Sequence, residues 1–504
     1  MKGRIVIVGA GIAGTTAART LRAEGYTGDI VLLGAEPHLP YRRPVVSKEI
    51  LAGTADESRT LLQPTTFWRD HNIDLRTGTT VESIDPAPAL VWLADGTAIG
   101  YDSLLLATGA RPRALTLATD PAVAETDPTV ARADIPTGRR GVASEEPGAA
   151  DLSDRSRTPL AAGFGAVGRV YPGSDPMAVR GNLGRRGAGI AAEGTAATQR
   201  VESATIRGGY GSVGVAERIL TLRGRADAEV LREAIGRGGS LLIVGAGLIG
   251  CEVAATARGL GVEVTVVDAA GLPLERVAPP VVGEFVRKLH ADNGVAIHTD
   301  VLLTHLGYGG VRVVAAAADG RAWNTAAVLV AIGSVPDTFL AEAAGLAVAD
   351  GIRVDEHYRT SAAGVYAAGD VASRFDPEAG EYRRDEHWNS AQSQGAAAAR
   401  SMLGKPRAVA DIPWGWSMQY GRNIQFAGRI RADDEQIVRG SVESGDATVI
   451  GLCEGRMTGV VALGRAAEFR AARDLMARGA VLDSGACADE SRPLAAVLTL
   501  SGQS

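Results

Sequence analysis

Cysteine is scarce in this chain: three residues, Cys251, Cys453 and Cys487, in 504, and none in a C-x-x-C pair. A redox disulfide, a zinc ribbon or a sequence-local iron–sulfur site has no footing in that pattern, no metal ligand set is expected, and a reduced cytoplasmic setting fits. Long apolar runs are also missing. No stretch approaches the ~18 residues of a spanning helix, so no membrane partner is expected. The N-terminus, MKGRIVIVGAG, enters a strand pattern at once, without the apolar core and cleavage site of a signal peptide. Nor is there a large excess of either charge. The formal net charge is −6, which gives no reason to expect nucleic acid as the main partner. What is present is an ordinary globular composition, 46% hydrophobic, ample for about three domains.

One pattern occurs twice. Arg4 to Val8 is a short β-type run, followed by Gly9-Ala10-Gly11-Ile12-Ala13-Gly14 and a helical stretch to Glu24; a second run, Ile30 to Leu33, ends near Glu36. In mid-chain Leu241 to Val244 leads into Gly245-Ala246-Gly247-Leu248-Ile249-Gly250 and a helical stretch to about Leu260, and Val262 to Val267 ends at Asp268. Strand, glycine turn, helix, strand and acid make the unit that binds a dinucleotide. The first glycine allows the tight turn, the second lets the backbone approach the pyrophosphate, and the third lets the helix lie close on the strand. A carboxylate at Glu36 or Asp268 accepts hydrogen bonds from adenosine ribose hydroxyls and repels a 2′-phosphate. At Asp268 this favours NADH over NADPH.

Two further segments complete the set. Tyr101 to Ala107 ends in Thr108-Gly109-Ala110-Arg111-Pro112, and Ser361 to Ala368 closes on Gly369-Asp370. They resemble the ATG and G-D motifs of the FAD- and NAD(P)-dependent pyridine-nucleotide reductases. Pro37-His38-Leu39-Pro40-Tyr41-Arg42-Arg43-Pro44 with Ser47-Lys48, Glu386-His387-Trp388 with Ala391, Gln394 and Gly395, and Pro413-Trp414-Gly415-Trp416-Ser417 with Gln419 are similar to the ferredoxin-reductase branch, which serves oxygenases.

That resemblance implies bound FAD, NADH as donor, hydride transfer to the flavin N5, and single-electron delivery to a small ferredoxin. It implies an FAD site of Gly9, Gly11, Ala13, Gly14, Glu36, Arg43, Lys48, Val81, Ala107, Thr108, Gly109, Arg223, Gly369, Asp370 and Trp388. The NAD site would take Gly245, Gly247, Leu248, Ile249, Gly250, Asp268 and Gly333, with Lys48 and Glu252 as a pair beside the flavin N5 edge. The family's W-S-D-Q reads Trp416-Ser417-Met418-Gln419, its R-P-P-L-S-K reads Arg43-Pro44-Val45-Val46-Ser47-Lys48, and its usual Asn is Ser390. Two other readings stay open. One is an NADH oxidase or peroxidase; those that reduce peroxide through a cysteine need it in the N-terminal flavin domain, and there is none before Cys251. A flavin-bound interaction protein, similar to apoptosis-inducing-factor relatives, would use the C-terminal domain and the long insertion to hold partners, with electron transfer secondary.

The expected fold is α/β: two Rossmann-like three-layer nucleotide-binding domains plus a C-terminal α+β domain. The FAD domain takes 1–116 and 326–406, the NAD domain 214–325, and the last domain 407–504. Residues 117–213, rich in Gly, Ala and Arg with only Phe164, Tyr171 and Tyr210 as aromatics, read as a poorly ordered insertion or a small module folding onto the body. In the last domain, runs at Ile424–Ala427, Gln436–Arg439, Ala447–Leu452 and Thr458–Leu463 predict an antiparallel sheet, and Ala466–Ala477 a helix. Arg422, Arg429, Arg431, Arg465, Arg470, Arg473 and Arg478 there are candidates for docking an acidic ferredoxin around Trp414 and Trp416. A monomer or weak dimer is expected.

Overall fold

Arg4–Val8, Asp29–Leu33, Ser103–Leu106, Val365–Ala367 and Ile73–Arg76 are buried apolar runs or half-runs, the sequence habit of strands covered on both faces. The computed structural model, which describes residues 3–115, 117, 218–236, 239–376, 380–405 and 412–497, pairs them into one parallel sheet. Its spatial order is Val365–Ala367, Ser103–Leu106, Arg4–Val8, Asp29–Leu33, Ile73–Arg76. The expected insertion lies outside the described residues, Leu117 excepted.

The helix Ile12–Ala23 covers this sheet together with Trp388–Met402 from far along the chain. Their approach is so close that a Cβ on Gly395 would stand 2.2 Å from the Ala13 carbonyl oxygen. Arg400 and Lys405 then hold Glu24 at 2.9 and 2.6 Å. A small antiparallel sheet of Val81–Asp85, Leu90–Leu93 and Ala98–Gly100 completes the same core through Ile84, Val91, Leu93 and Ile99.

The second parallel sheet runs Ala296–His298, Glu263–Val267, Ser240–Val244, Ala327–Val330, Ile219–Leu220. Alternation along Ser240–Val244 gives its three layers. Leu241 and Ile243 face the helices through Ala228, Val253 and Val282, whereas Leu242 and Val244 face an antiparallel sheet through Val313, Ala315 and Ala317. Ala327–Val330 is wholly buried and belongs to this sheet, so the second domain runs on past the expected boundary at 326.

The C-terminal region is a five-stranded antiparallel sheet, ordered Trp414–Gln419, Arg422–Gly428, Arg456–Leu463, Asp446–Cys453, Glu435–Ser441, with the helix Ala466–Ala477 on one face. Ala427, Ile450 and Val460 turn toward that helix; Ile424, Phe426 and Val461 turn toward the second domain's core. Two Rossmann-like domains and a C-terminal α+β domain are therefore present. Among the described residues no helix is long and apolar enough to cross a membrane.

Candidate functional site

The two glycine turns are built alike. Gly9 has φ +108°, and a Cβ there would lie 2.1 Å from the Ala107 oxygen; a Cβ on Gly14 would lie 2.0 Å from the Gly9 oxygen. These two glycines answer to the protein's own backbone. Gly11 does not: a Cβ there would meet no protein atom within 4 Å. The second turn repeats this at Gly245 (φ +110°, 2.4 Å from the Ala331 oxygen), Gly250 (1.9 Å from the Gly245 oxygen) and Gly247, again with nothing within 4 Å. Gly11 and Gly247 are the N-caps of Ile12–Ala23 and Leu248–Gly259, and neither supplies a side-chain cap. Two helix N-termini thus start without a side-chain cap and with no protein atom close to their cap glycines, the arrangement that binds phosphate.

The first turn opens into a cleft of about 460 Å³ at the C-terminal ends of the first sheet. Of the expected FAD residues, Gly9, Gly11, Ala13, Glu36, Arg43, Val81, Ala107, Thr108, Gly109, Arg223, Gly369, Asp370 and Trp388 line it. Gly14 and Lys48 are not among the residues that line it. The lining is charged at one end. Arg43 pairs with Glu36, whose other partner is the Tyr41 hydroxyl at 2.6 Å, and Arg223 meets Asp370 at 3.1 Å. Burial works against the charge on Glu36, but Arg43 and Tyr41 outweigh it and hold the carboxyl below its ordinary value. Burial also pushes the Tyr41 hydroxyl up to about 12. Thr108 donates to the Asp337 oxygen at 2.7 Å. The Trp388 indole N–H is buried and has no protein acceptor. A buried donor aimed at no protein atom, a glycine that keeps space clear and a helix N-terminus all fit a bound dinucleotide such as FAD.

Ile249 and Glu252, both on the helix that follows the second turn, also line this first cleft. Glu252 is only 6% exposed and accepts four hydrogen bonds. Ser47 Oγ donates at 2.6 Å, Lys48 Nζ at 2.5 Å, Ser417 Oγ at 3.0 Å and the Met418 N–H at 3.3 Å. Lys48 is held further by the Pro44 oxygen at 2.8 Å. The result is a fixed anion–cation pair whose acid, Glu252, lines the cleft. What residue 418 gives Glu252 is its backbone; Met418 is 38% exposed, so the departure from the family's acid leaves this contact in place.

The remaining expected NAD residues gather at the second turn. Asp268 accepts from the backbone N–H of Ala246 at 2.5 Å and of Ala270 at 2.8 Å, which fixes the carboxylate at the strand end. Gly333 has φ +107°, a conformation that disfavours any other residue. Cys251 is buried, its thiol donates to the Ala246 oxygen at 3.3 Å, and burial pushes its pKa up, which makes it inert. Among the described residues no group of three His, Cys, Asp or Glu could hold a metal ion.

Trp388, Trp416 and Trp414 form a row, with centroids 6.0 and 5.8 Å apart, and Trp414 continues to Phe469 at 5.8 Å. Arg473 lies over the Trp414 ring at 4.6 Å, so it serves the packing of this row, while Arg470 on the same helix is exposed. Arg465 is spoken for by Asp446 and Glu490, and Arg478 by Asp474. Sequence reasoning gave no role to Tyr41, Ser47, Asp337, Ser417 or Gln419, and did not single out His290. All but Asp337 and His290 fell inside quoted motifs, so their position was visible and their contacts were not.

Residues 3–137 and 202–395 match the family model described as pyridine nucleotide-disulphide oxidoreductase, and 414–498 match one described as reductase C-terminal. The anthranilate 1,2-dioxygenase system ferredoxin–NAD(+) reductase component of Burkholderia cepacia is 33% identical over 493 residues, covering 96% of this chain and 96% of that protein. Rhodocoxin reductase of Rhodococcus erythropolis is 31% identical over 483 residues, covering 94% and 89%. Among solved structures, the covalent putidaredoxin reductase–putidaredoxin complex matches with a TM-score of 0.75 at 29% identity, covering 98% of this chain and 97% of that one.

Proposed function

The chain belongs to the pyridine nucleotide-disulphide oxidoreductase family, and on that footing we propose that it is a cytoplasmic, FAD-containing, NADH-dependent ferredoxin reductase serving an oxygenase. One observation carries this. Ile249 lies two residues beyond Gly247, the open glycine of the second turn, and yet it lines the cleft of the first. A donor held at the second turn would therefore have its reacting end against the occupant of the first cleft, where proximity and alignment do most of the work. FAD, when bound, supplies the exchange of one two-electron donor for two single-electron deliveries. The chain's own residues do the rest. The N-termini beginning at Gly11 and Gly247 bind pyrophosphate, Glu36 and Asp268 accept ribose hydroxyls, and the Trp388 N–H, Arg223 and Asp370 orient the flavin-side groups. Lys48 and Glu252 hold a neutralised charge pair at the wall.

The names of the relatives support a ferredoxin as acceptor. The burial of Cys251 speaks against the oxidase or peroxidase reading, because a peroxide-reducing thiol must be reachable and ionisable. The test is direct. Purified protein should release FAD on heating, and NADH should drive reduction of an added ferredoxin much faster than it consumes oxygen. Protein that is folded but flavin-free, or oxygen consumption indifferent to ferredoxin, would end the proposal.

A further inference from the structure

Behind Glu252 the side chains form one unbroken run through the interior. Ser417, Gln419 and His290 are each 0% exposed. Ser417 Oγ lies 3.0 Å from Glu252 Oε1, Gln419 Nε2 lies 3.0 Å from Ser417 Oγ, Gln419 Oε1 lies 3.0 Å from His290 Nε2, and His290 Nδ1 lies 3.2 Å from the Tyr420 hydroxyl. The run ties Pro280–Asp292, which carries His290, through the strand Trp414–Gln419 to the helix Leu248–Gly259 and so to Lys48.

With a neutral imidazole the hydrogen bonds in it can point only one way. A carboxylate paired with Lys48 only accepts, so Ser417 must donate to it. Ser417 has then spent its one proton and must accept from the Gln419 amide nitrogen. That turns the Gln419 oxygen to His290, which must carry its proton on Nε2. The bare Nδ1 then accepts from Tyr420. Burial favours the uncharged imidazole this requires, holding His290 below its ordinary value against the Gln419 contact.

We propose that His290, far from the cleft, is a positioning residue for the Lys48–Glu252 pair. As the neutral Nε2–H tautomer it sets the Gln419 amide, which sets the Ser417 hydroxyl onto Glu252. This rests on the cleft holding FAD. Without His290 the buried Gln419 oxygen has no donor, the amide turns, and Ser417 is drawn off Glu252. The carboxylate beside the flavin is left with one donor fewer, which lowers the flavin potential and loosens Lys48.

The experiment uses the full-length holoprotein with Ser417→Ala, His290→Leu, the double variant, and His290→Gln, which restores a donor near Nε2. Ser417→Ala and His290→Leu should each lower the flavin midpoint potential and slow flavin reduction by NADH about tenfold, with the NADH KM unchanged. The double variant should go no further than Ser417→Ala, because both act through one hydroxyl. His290→Gln should stay near wild type. Additive shifts, or a His290→Leu protein with an unchanged potential, would overturn the proposal. Nitrogen-15 NMR of histidine-labelled protein supplies an arm that needs no flavin role. It should find His290 neutral with its proton on Nε2, and an Nε2 without a proton would overturn the chain's direction. Purified protein without FAD would sink the functional reading, and the NMR arm would still decide the direction of the hydrogen bonds from His290 to Glu252.

Discussion

Replacing Gly11 with alanine should separate binding from folding. At φ −71° the backbone suits any residue, and the new Cβ would meet no protein atom within 4 Å. The entropy gain of Gly→Ala, ~0.4–1 kcal/mol, is offset by the poorer standing of alanine at an N-cap. Stability of the flavin-stripped protein should therefore change by less than about 1 kcal/mol. On the proposed function the methyl group instead enters the space that a pyrophosphate would take. Overpacking there costs ~1–3 kcal/mol, or roughly 5- to 150-fold in FAD affinity. Gly14→Ala should behave in the opposite way. Its Cβ would stand 2.0 Å from the Gly9 oxygen, which is backbone and cannot swing aside, so the same ~1–3 kcal/mol appears as lost stability before any flavin is added. Urea unfolding of the stripped proteins gives the first quantity and flavin-fluorescence titration the second. The reasoning is refuted if Gly11→Ala destabilises the stripped protein as much as Gly14→Ala does, or if it binds FAD as wild type does. Gly247→Ala should repeat the pattern at the second turn, raising the NADH KM while FAD stays bound.

Three other outcomes are expected. NADH should give the higher kcat/KM, and Asp268→Ser with Ala269→Arg should shift the preference toward NADPH by ~1–3 kcal/mol, measured as the ratio of the two specificity constants; a wild type that prefers NADPH contradicts the role given to Asp268. Arg470→Glu should slow ferredoxin reduction at low salt and leave NADH-to-ferricyanide turnover alone, whereas Arg473→Glu should cost ~0.5–2 kcal/mol of stability by uncovering Trp414, seen in thermal unfolding. Glu36 is held below its ordinary pKa, so its contribution to stability is full above that ordinary value and is lost as pH falls through the lower folded value; Glu36→Gln should flatten that part of the acid-unfolding curve, and parallel curves would count against the Arg43–Tyr41 clamp.

The local parts of this molecule were readable in the chain. A strand, a glycine turn and a helix are set by neighbours within about 20 residues, and the run Ala466–Ala477 is helical over the residues its composition marks. Assignments that depend on distant partners were not readable. Ala327–Val330 is a four-residue apolar strand that suits either parallel sheet, and only its pairing with Leu241–Val244 decides which. Arg473 looks like any surface arginine until Trp414 arrives beneath it. Glu252 shows the same limit more fully: the resemblance pairs it with Lys48, but the serines and the backbone N–H that hold it are more than 160 residues away in either direction.

The close seating of Gly395 against Ala13 also sets a timetable for synthesis. The helix that opens the cleft, Ile12–Ala23, is made about 365 residues before the helix that covers it, Trp388–Met402, and the edge strand Val365–Ala367 is also made late relative to it. At about 5–20 residues per second, the nascent cleft waits roughly 20–75 s on the ribosome before its far wall exists. During that wait the apolar edge of Ser103–Leu106 has no strand beside it, and the cell must keep it from pairing elsewhere. On the proposed function, flavin loading should follow synthesis of Trp388–Met402, so a ribosome stalled within the second domain would carry a cleft that lacks one wall.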